Sequence, residues 1–200
     1  MFWQISAFPK CTHHAFLSHA AIDRQEIVLP VSEELQRRQI IPWLDQNDYP
    51  YGRDSRIALR DGILHSRHIV YFITLGMLDH RNGWCPMELA YSDILQKNLM
   101  SYGGTWTNLE LPLFFVDRND PHLNQTIWGA LRDRGPSYSQ QDGDIVEWSV
   151  NQIQQFLLRE QLLSLNHAKN YPLVTSPGIP QVTGLFERVT QFDPGSIPIP

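Results

Sequence analysis

The sequence has little cysteine and no long apolar run. Only Cys11 and Cys85 are present in 200 residues, far apart and in no Cys-x-x-Cys pair, so neither a disulfide framework nor a cysteine zinc site is expected. No apolar run approaches the roughly 20 residues of a membrane-spanning helix. The first ten residues, MFWQISAFPK, lack the basic start and apolar stretch of a signal peptide. These absences predict a protein of the reducing cytoplasm that does not bind membranes.

Positive charge is also scarce. The chain has 16 Lys and Arg against 21 Asp and Glu, a formal net charge of -5. A general nucleic-acid binder shows a basic face or stripe, so no nucleic-acid partner is expected. The length of 200 residues allows one domain with a sizeable core, or a domain and a tail.

Several common functional motifs are missing. Neither GxGxxG nor GxxxxGK[ST] is present, which argues against a dinucleotide-binding dehydrogenase and a P-loop enzyme. His13, His14 and His19 have neither an HExxH motif nor a Cys/His set beside them, so no metal is expected. Ser18 and His19 are adjacent on a predicted strand and should point to opposite faces, which argues against a nucleophile pair. A receiver domain would need an acidic pair at this strand end.

The hydrophobic pattern predicts strands that alternate with helices. Strands are predicted at residues 13–20, 40–45, 68–78 and 111–117, and helices at 26–39, 55–66, from 86 onward, 124–134 and 144–163. Segments 46–55 and 101–110 are predicted to be loops. Strands that are apolar throughout and alternate with helices predict a doubly wound parallel α/β sheet. We expect the domain to span residues 1–165. Residues 166–200 are predicted to be a C-terminal extension packed on it or used in assembly.

One acidic residue stands beside a predicted apolar stripe. The segment NGWCPMELAYSDIL, residues 82–95, has apolar residues at the spacing of a buried helix face: Met87, Ala90, Tyr91, Ile94 and Leu95. Glu88 lies at the edge of this face. Ligands of open α/β sheets bind beyond the carboxyl ends of the strands, and this helix follows the third strand. The alternative is helix capping, although Cys85, three residues earlier, is a poor cap.

Four segments in this order resemble a TIR (Toll/interleukin-1 receptor homology) domain. They are AFLSHAAIDR, IIPWLD with the loop NDYPYGRDS, IALRDGILHSRHIVYFIT, and GWCPMEL. They resemble the family's first strand, its second strand with the BB loop, its second helix with the third strand, and its third helix. The resemblance covers about residues 11–160 of the chain. It implies the flavodoxin-like doubly wound parallel sheet of that family.

The resemblance implies an enzyme that cleaves the nicotinamide–ribose bond of NAD, an NAD+ nucleosidase or ADP-ribosyl cyclase. The WC..EL element carries the glutamate of catalytic TIR domains, and Glu88 falls on it. NAD is then the substrate and no cofactor is required. Nicotinamide departs neutral, so one ionised carboxylate suffices to stabilise the oxocarbenium-like transition state. A helix N-terminus is expected to keep that carboxylate ionised.

The resemblance also implies a substrate-binding set. This set consists of Phe16, Leu17, Ser18, Arg24, Trp43, Asp45, Tyr49, Arg53 and Trp84. Phe16 and Leu17 are expected to act through their backbone. Three side chains have an alternative placement: Arg24 in solvent, Trp43 in the core, and Trp84 packed on the sheet.

The chain resembles standalone bacterial TIR proteins of about this length, which are similar to the signal-producing subunit of the Thoeris anti-phage system. This likeness implies a cyclic ADP-ribose-type product, a separate effector that responds to it, and a homo-oligomer or an activator-induced assembly. The first alternative is a non-catalytic interaction module that acts through the BB loop. The second is an enzyme related to nucleoside deoxyribosyltransferases, which also attack an N-glycosidic bond with a glutamate. The sequence leaves hydrolysis and cyclisation both open.

Overall fold

The computed structural model describes residues 12–45, 54–79, 83–101 and 109–170, with the backbone alone for 96–101 and 161–170. Its four strands are β1 (His13–Ser18), β2 (Pro42–Trp43), β3 (Ser66–Ile73) and β4 (Glu110–Phe114). They form one sheet in the order β2-β1-β3-β4, and every pairing is parallel. This is the strand order of the flavodoxin-like doubly wound fold, so the predicted fold class is confirmed.

A single bridge continues the sheet beyond β4. Ser137 pairs with Phe114 in the parallel direction. The Phe114 N–H donates to the Pro136 carbonyl at 3.0 Å, and the Tyr138 N–H donates to the Phe114 carbonyl at 2.8 Å. The segment thus covers the edge of β4 and satisfies backbone groups there. It was not predicted, because a one-residue bridge has no periodicity in the sequence.

Helices cover both faces of the sheet. They are α1 (Leu29–Arg37), α2 (Ser55–His65), α3 (Leu75–Asp79), α4 (Trp84–Ser101), α5 (Pro121–Asn124) and α6 (Ile145–Asn170). The side chains of α1 and α6 share one core with the sheet, whereas those of α2, α3 and α4 share the other. Among the described helices, none combines the length and apolarity that crossing a membrane requires.

All four predicted strands extend past the carboxyl ends of the observed strands, which are Ser18, Trp43, Ile73 and Phe114. The third strand was predicted to run to residue 78, but β3 ends at Ile73 and α3 follows it. Thr74 Oγ1 accepts the Met77 N–H at 3.1 Å and so caps the start of α3. Because the residues on both sides of Thr74 are apolar, composition alone does not show where the strand ends and the helix begins. The second strand was predicted over six residues, and only Pro42 and Trp43 pair.

The predicted helices also differ from the observed ones. The helix predicted at 26–39 is a 3-10 turn (Ala21–Asp23), a π-helical turn (Arg24–Val28) and α1. The helix predicted at 124–134 is replaced by α5 and the 3-10 helix Ile127–Leu131. Helix α6 continues to Asn170, beyond its predicted end at 163. Residues 102–108, within the predicted loop, and residues 171–200 lie outside the described part, so the division into domain and extension stays a prediction.

The alternation of side chains along β1 decides what faces α4. Successive residues of a strand point to opposite faces of the sheet. Ala15 and Leu17 belong to the core under α1 and α6, whereas Phe16 belongs to the core under α2 and α4. Ser18, two residues after Phe16, therefore faces α4. It pairs in register with Tyr71 of β3, which lies in the same core.

Gly135 lies where the bridging segment approaches β4. A Cβ atom at Gly135 would lie 1.8 Å from the main-chain oxygen of Pro112, whose strand is paired with β3. We expect Gly135→Ala to lower the free energy of unfolding by about 2 kcal/mol or more, measured by urea denaturation. The control is Gly76→Ala, whose Cβ would meet at 2.5 Å the side chain of the exposed Ile22, which can rotate away. Equal losses in the two variants would contradict the close approach at Gly135.

Candidate active site

The carboxyl end of β1 meets the start of α4 at one edge of the sheet. Ser18 is the last residue of β1, and Glu88 is the fifth residue of α4. The Ser18 hydroxyl donates a hydrogen bond to Glu88 Oε2, and both side chains are buried. Glu88 thus lies at the edge of the sheet that its position in the sequence predicted.

Glu88 is buried, with only 7% of its surface exposed. The buried face of α4 consists of Cys85, Glu88, Tyr91, Ser92 and Leu95. Three members of the predicted apolar stripe are only half-buried, namely Met87, Ala90 and Ile94. The predicted apolar face is therefore wrong, because Glu88, expected at its edge, lies within the buried face. Periodicity counts apolar side chains, whereas polar ones can be buried when another element supplies hydrogen-bond partners.

The environment of Glu88 raises its pKa to about 7. Loss of water on burial is the main cause, the Ser18 hydrogen bond acts in the opposite direction, and the charge of Asp45 adds to the rise. Helix α4 begins at Trp84, two residues earlier than predicted, so Glu88 lies beyond the first turn and its free N–H groups. The expected support from the helix N-terminus is wrong, and so is the capping alternative.

A second polar cluster lies beside this pair and contains His19, Arg24 and Asp45. Arg24 Nη2 donates to Asp45 Oδ2 at 2.5 Å, and Arg24 Nε donates to His19 Nε2 at 3.2 Å. His19 Nδ1 lies 3.0 Å from the Leu17 carbonyl oxygen. Arg24 is bound on two sides, so the alternative of a freely solvated arginine is wrong. The charge of Asp45 acts on Glu88, so this cluster is electrostatically coupled to the buried carboxyl group.

Cys85 joins α4 to this cluster. Its thiol donates to the His19 carbonyl oxygen at 3.2 Å. Burial raises the pKa of the Cys85 thiol, and the charge of Glu88 raises it further. The thiol therefore stays protonated and acts as a donor, not as a nucleophile.

A buried chain of hydrogen bonds holds α4 one turn beyond Glu88. The Tyr71 hydroxyl lies 2.7 Å from Ser92 Oγ, and Ser92 Oγ donates to Glu110 Oε1 at 2.5 Å. The single hydrogen of the Ser92 hydroxyl faces two acceptors, Glu110 Oε1 and the Leu89 carbonyl oxygen at 3.0 Å, so the Tyr71 hydroxyl is the donor of the first bond. Arg134 Nη1 donates to Glu110 Oε2 at 3.2 Å. This chain pins α4 to β3 and β4.

Sequence reasoning missed most of these supporting residues. Tyr71 falls within the predicted apolar strand 68–78, and Glu110 falls within the predicted loop 101–110. One signal was available. Cys85, Glu88 and Ser92 follow each other at intervals of three and four residues, which places them on one face of a helix.

The predicted substrate-binding residues divide into two groups. In the first group, Ser18 is hydrogen-bonded to Glu88, the charge of Asp45 acts on Glu88, and Arg24 is paired with Asp45. The side chains of Phe16 and Leu17 are buried, and the Leu17 carbonyl faces the His19 ring.

The two tryptophans take opposite environments. Trp43 stacks on Phe16 with ring centroids 4.4 Å apart and is 5% exposed, as expected for its alternative placement in the core. Trp84 is 44% exposed, so its alternative placement on the sheet is wrong. It stands one turn before Glu88 on α4. Tyr49 and Arg53 lie outside the described residues.

His14 has a structural contact between two strands. His14 Nδ1 accepts the Ile41 N–H at 2.8 Å and so ties β1 to the start of β2. Within residues 12–45, 54–79, 83–101 and 109–170, no group of three or more His, Cys, Asp or Glu is arranged to hold a metal ion.

Comparison with protein families gives one match that covers more than half of the chain. A family model described as TIR domain matches residues 15–133. Among curated proteins, the chain is 28% identical over 76 residues to the NAD(+) hydrolase TirS of Staphylococcus aureus (strain MSSA476). The matched stretch covers 38% of this chain and 26% of that protein, so the chain spans about a quarter of the relative.

Comparison with solved structures found similarity to TIR domains of two other proteins. The TIR domain of the Toll-related receptor TRR-2 from Hydra magnipapillata is 14% identical, with a TM-score of 0.47 and coverage of 78% of this chain and 99% of that one. The TIR domains of the activated Roq1 resistosome, which recognises the pathogen effector XopQ, are 17% identical, with a TM-score of 0.44 and coverage of 90% and 98%. At these values neither likeness bears on activity.

The raised pKa of Glu88 makes stability depend on pH. The pKa is 4.5 for an ordinary Glu and about 7 here, so the folded state binds more protons between these values. The free energy of unfolding therefore falls as the pH rises from 4.5 through about 7. Glu88→Gln has no proton to lose. Its stability relative to the wild type is expected to increase by about 3 kcal/mol between pH 4.5 and about pH 8.

Urea denaturation at both pH values measures this difference. Glu33→Gln, at an exposed position of α1, is the matched control and is expected to follow the wild type. A Glu88→Gln curve that runs parallel to the wild type would contradict the raised pKa.

Proposed function

The chain belongs to the TIR domain family, and we propose that it cleaves the glycosidic bond between nicotinamide and ribose in NAD with Glu88 as the catalytic carboxylate. The observation that carries this proposal is the buried Glu88 at the carboxyl edge of the sheet. Ser18 binds its Oε2, and no described residue donates a hydrogen bond to its Oε1. The activity named for the Staphylococcus aureus relative supports the choice of substrate.

The chemistry needs only one carboxylate. Nicotinamide in NAD is a cationic leaving group, so it takes the bonding electron pair and departs neutral. The positive charge then lies on the ribose as an oxocarbenium ion. Most glycosidases use a second carboxyl group to protonate the leaving group, and this reaction has no such requirement. An ionised Glu88 beside the ribose stabilises the cation, and Oε1 accepts a hydrogen bond from a ribose hydroxyl.

The cation is captured by one of two nucleophiles. Water gives ADP-ribose and releases one proton. The adenine base of the same molecule gives a cyclic ADP-ribose isomer instead. We infer the cyclic product from the resemblance to signal-producing TIR proteins, together with a separate effector that responds to it. Activation through a homo-oligomer or an activator-induced assembly belongs to the same proposal.

Substrate contacts are proposed for the polar residues around Glu88 and for Trp84. Arg24 is paired with Asp45, whose charge acts on Glu88, and the exposed ring of Trp84 lies one turn before Glu88 on α4. NAD is consumed as a substrate, and the reaction requires neither a metal nor a further cofactor. Roles for Tyr49 and Arg53 rest on the family resemblance.

Replacing Glu88 by Gln tests the proposal. Loss of the carboxylate is expected to reduce NAD turnover at least about 100-fold, because Gln is isosteric and cannot stabilise a developing positive charge. Chromatography of NAD incubated with each protein measures nicotinamide and the ribose product. Glu33→Gln, at an exposed site on α1, is the control. Unchanged turnover in Glu88→Gln would contradict the assignment.

The same assay distinguishes the product classes. Free ADP-ribose identifies hydrolysis, and a cyclic isomer identifies cyclisation. A wild-type protein that releases no nicotinamide, alone or with lysate of phage-infected cells, would favour the non-catalytic interaction module.

Only the ionised form of Glu88 stabilises the cation, so turnover is expected to rise with pH through about 7. The Ser18 hydrogen bond lowers the pKa of Glu88. Ser18→Ala is therefore expected to move the midpoint of the pH–turnover curve to higher pH. Ser32→Ala, at a buried serine of α1, is the control. A Ser18→Ala curve that superimposes on the wild-type curve would show that this hydroxyl does not tune Glu88.

A further inference from the structure

We propose that His19, in its neutral form, is a positioning residue that holds the Arg24–Asp45 pair near Glu88. The inference rests on the proposed function, because it takes Arg24 and Asp45 as contacts of the substrate bound there. His19 follows directly after β1 and is absent from the predicted substrate-binding set.

The two ring nitrogens of His19 face opposite kinds of partner. Nδ1 lies 3.0 Å from the Leu17 carbonyl oxygen, which only accepts hydrogen bonds, so Nδ1 carries a hydrogen. Nε2 lies 3.2 Å from Arg24 Nε, which only donates, so Nε2 is bare. His19 is therefore neutral and protonated on Nδ1. Its side chain is 4% exposed, and burial lowers its pKa, which favours the same state.

The bare Nε2 orients the arginine. With Nε bound to His19 and Nη2 bound to Asp45, the plane of the Arg24 guanidinium is fixed at two of its three nitrogens. A hydrogen on Nε2 would face the Arg24 Nε–H and break this arrangement. His19 thus acts on Arg24 through an acceptor that only one of its protonation states provides.

The oriented pair retains unused hydrogen-bonding groups. No described residue pairs with Arg24 Nη1. Asp45 Oδ1 is buried and accepts no hydrogen bond from any described residue, and it lies 3.9 Å from His19 Nε2, which has no hydrogen to give. A buried acceptor without a donor is uncommon in folded proteins, and such atoms are often completed by a ligand or water. The pair therefore keeps one donor and one acceptor for polar groups of the nucleotide.

A hydrogen bond connects the backbone of His19 to α4, the helix that carries Glu88. The Cys85 thiol, three residues before Glu88 on α4, donates to the main-chain oxygen of His19 at 3.2 Å. The charge of Asp45 acts on both Glu88 and Cys85. A displacement of His19 would therefore change the distance between the substrate-holding pair and the catalytic carboxylate.

Two substitutions at His19 separate the contributions of its ring nitrogens. Gln places an amide oxygen near the position of Nε2 and retains an acceptor for Arg24. Asn places an amide N–H near the position of Nδ1, so it retains the bond to Leu17 and leaves Arg24 Nε without an acceptor.

We expect His19→Asn to raise the KM for NAD about tenfold with a smaller change in kcat, since one charge-assisted hydrogen bond is lost. His19→Gln is expected to stay close to the wild type. The Kd for NAD, measured by calorimetry with Glu88→Gln as background, is expected to follow the same order. Far-UV circular dichroism and thermal melting check that each variant is folded. Equal values of KM and Kd in the two variants would overturn the inference.

The protonation state is measurable without turnover. Ring 15N NMR signals of His19, assigned by their absence in His19→Gln, are expected to show a protonated Nδ1 and a bare Nε2 at neutral pH. A protonated Nε2 would overturn the inference even where NAD is cleaved. A wild-type protein that does not cleave NAD would overturn the proposed function instead. The NMR result and the Kd comparison would still decide the role of His19.

Discussion

The hydrogen bond from Ser18 to Glu88 joins the end of β1 to α4, and the rest of the candidate site depends on it. A buried carboxylate is costly unless hydrogen bonds replace its water shell. Here one hydroxyl replaces part of that shell, and the remaining penalty raises the pKa of Glu88 to about 7. The group is therefore balanced between its two protonation states near neutral pH. A buried carboxyl group with such a perturbed pKa is a feature typical of functional sites.

The surrounding structure keeps this carboxylate in place. The buried face of α4 is polar over two turns, because Ser92 bonds to Tyr71 of β3 and to Glu110 of β4. At the other end of the helix, Cys85 bonds to the backbone after β1. Glu88 lies between these two attachments, so the helix cannot slide along the sheet without breaking one of them. A catalytic group held in this way acts from a rigid position.

Much of the architecture was predictable from local patterns. Apolar strands that alternate with helices identified the doubly wound sheet, and short motifs identified the family and the position of Glu88. The ends of the strands and helices were harder to predict from the sequence. The apolar run after residue 68 crosses from β3 into α3, and only the cap at Thr74 separates them. The bridge at Ser137 has no local pattern at all, since its position depends on the backbone of Phe114.

The sequence by itself determined the fold class and the acidic residue at the edge of the sheet, because both depend on neighbours within a few positions along the chain. Only the tertiary structure decided that Glu88 is buried, that Trp43 is in the core while Trp84 is exposed, and that the His19 ring lies between the Leu17 carbonyl and Arg24. These properties depend on groups distant in the chain. Ser18 and Glu88 are 70 positions apart, and a side chain's solvation and pKa are set by whatever the fold brings against it.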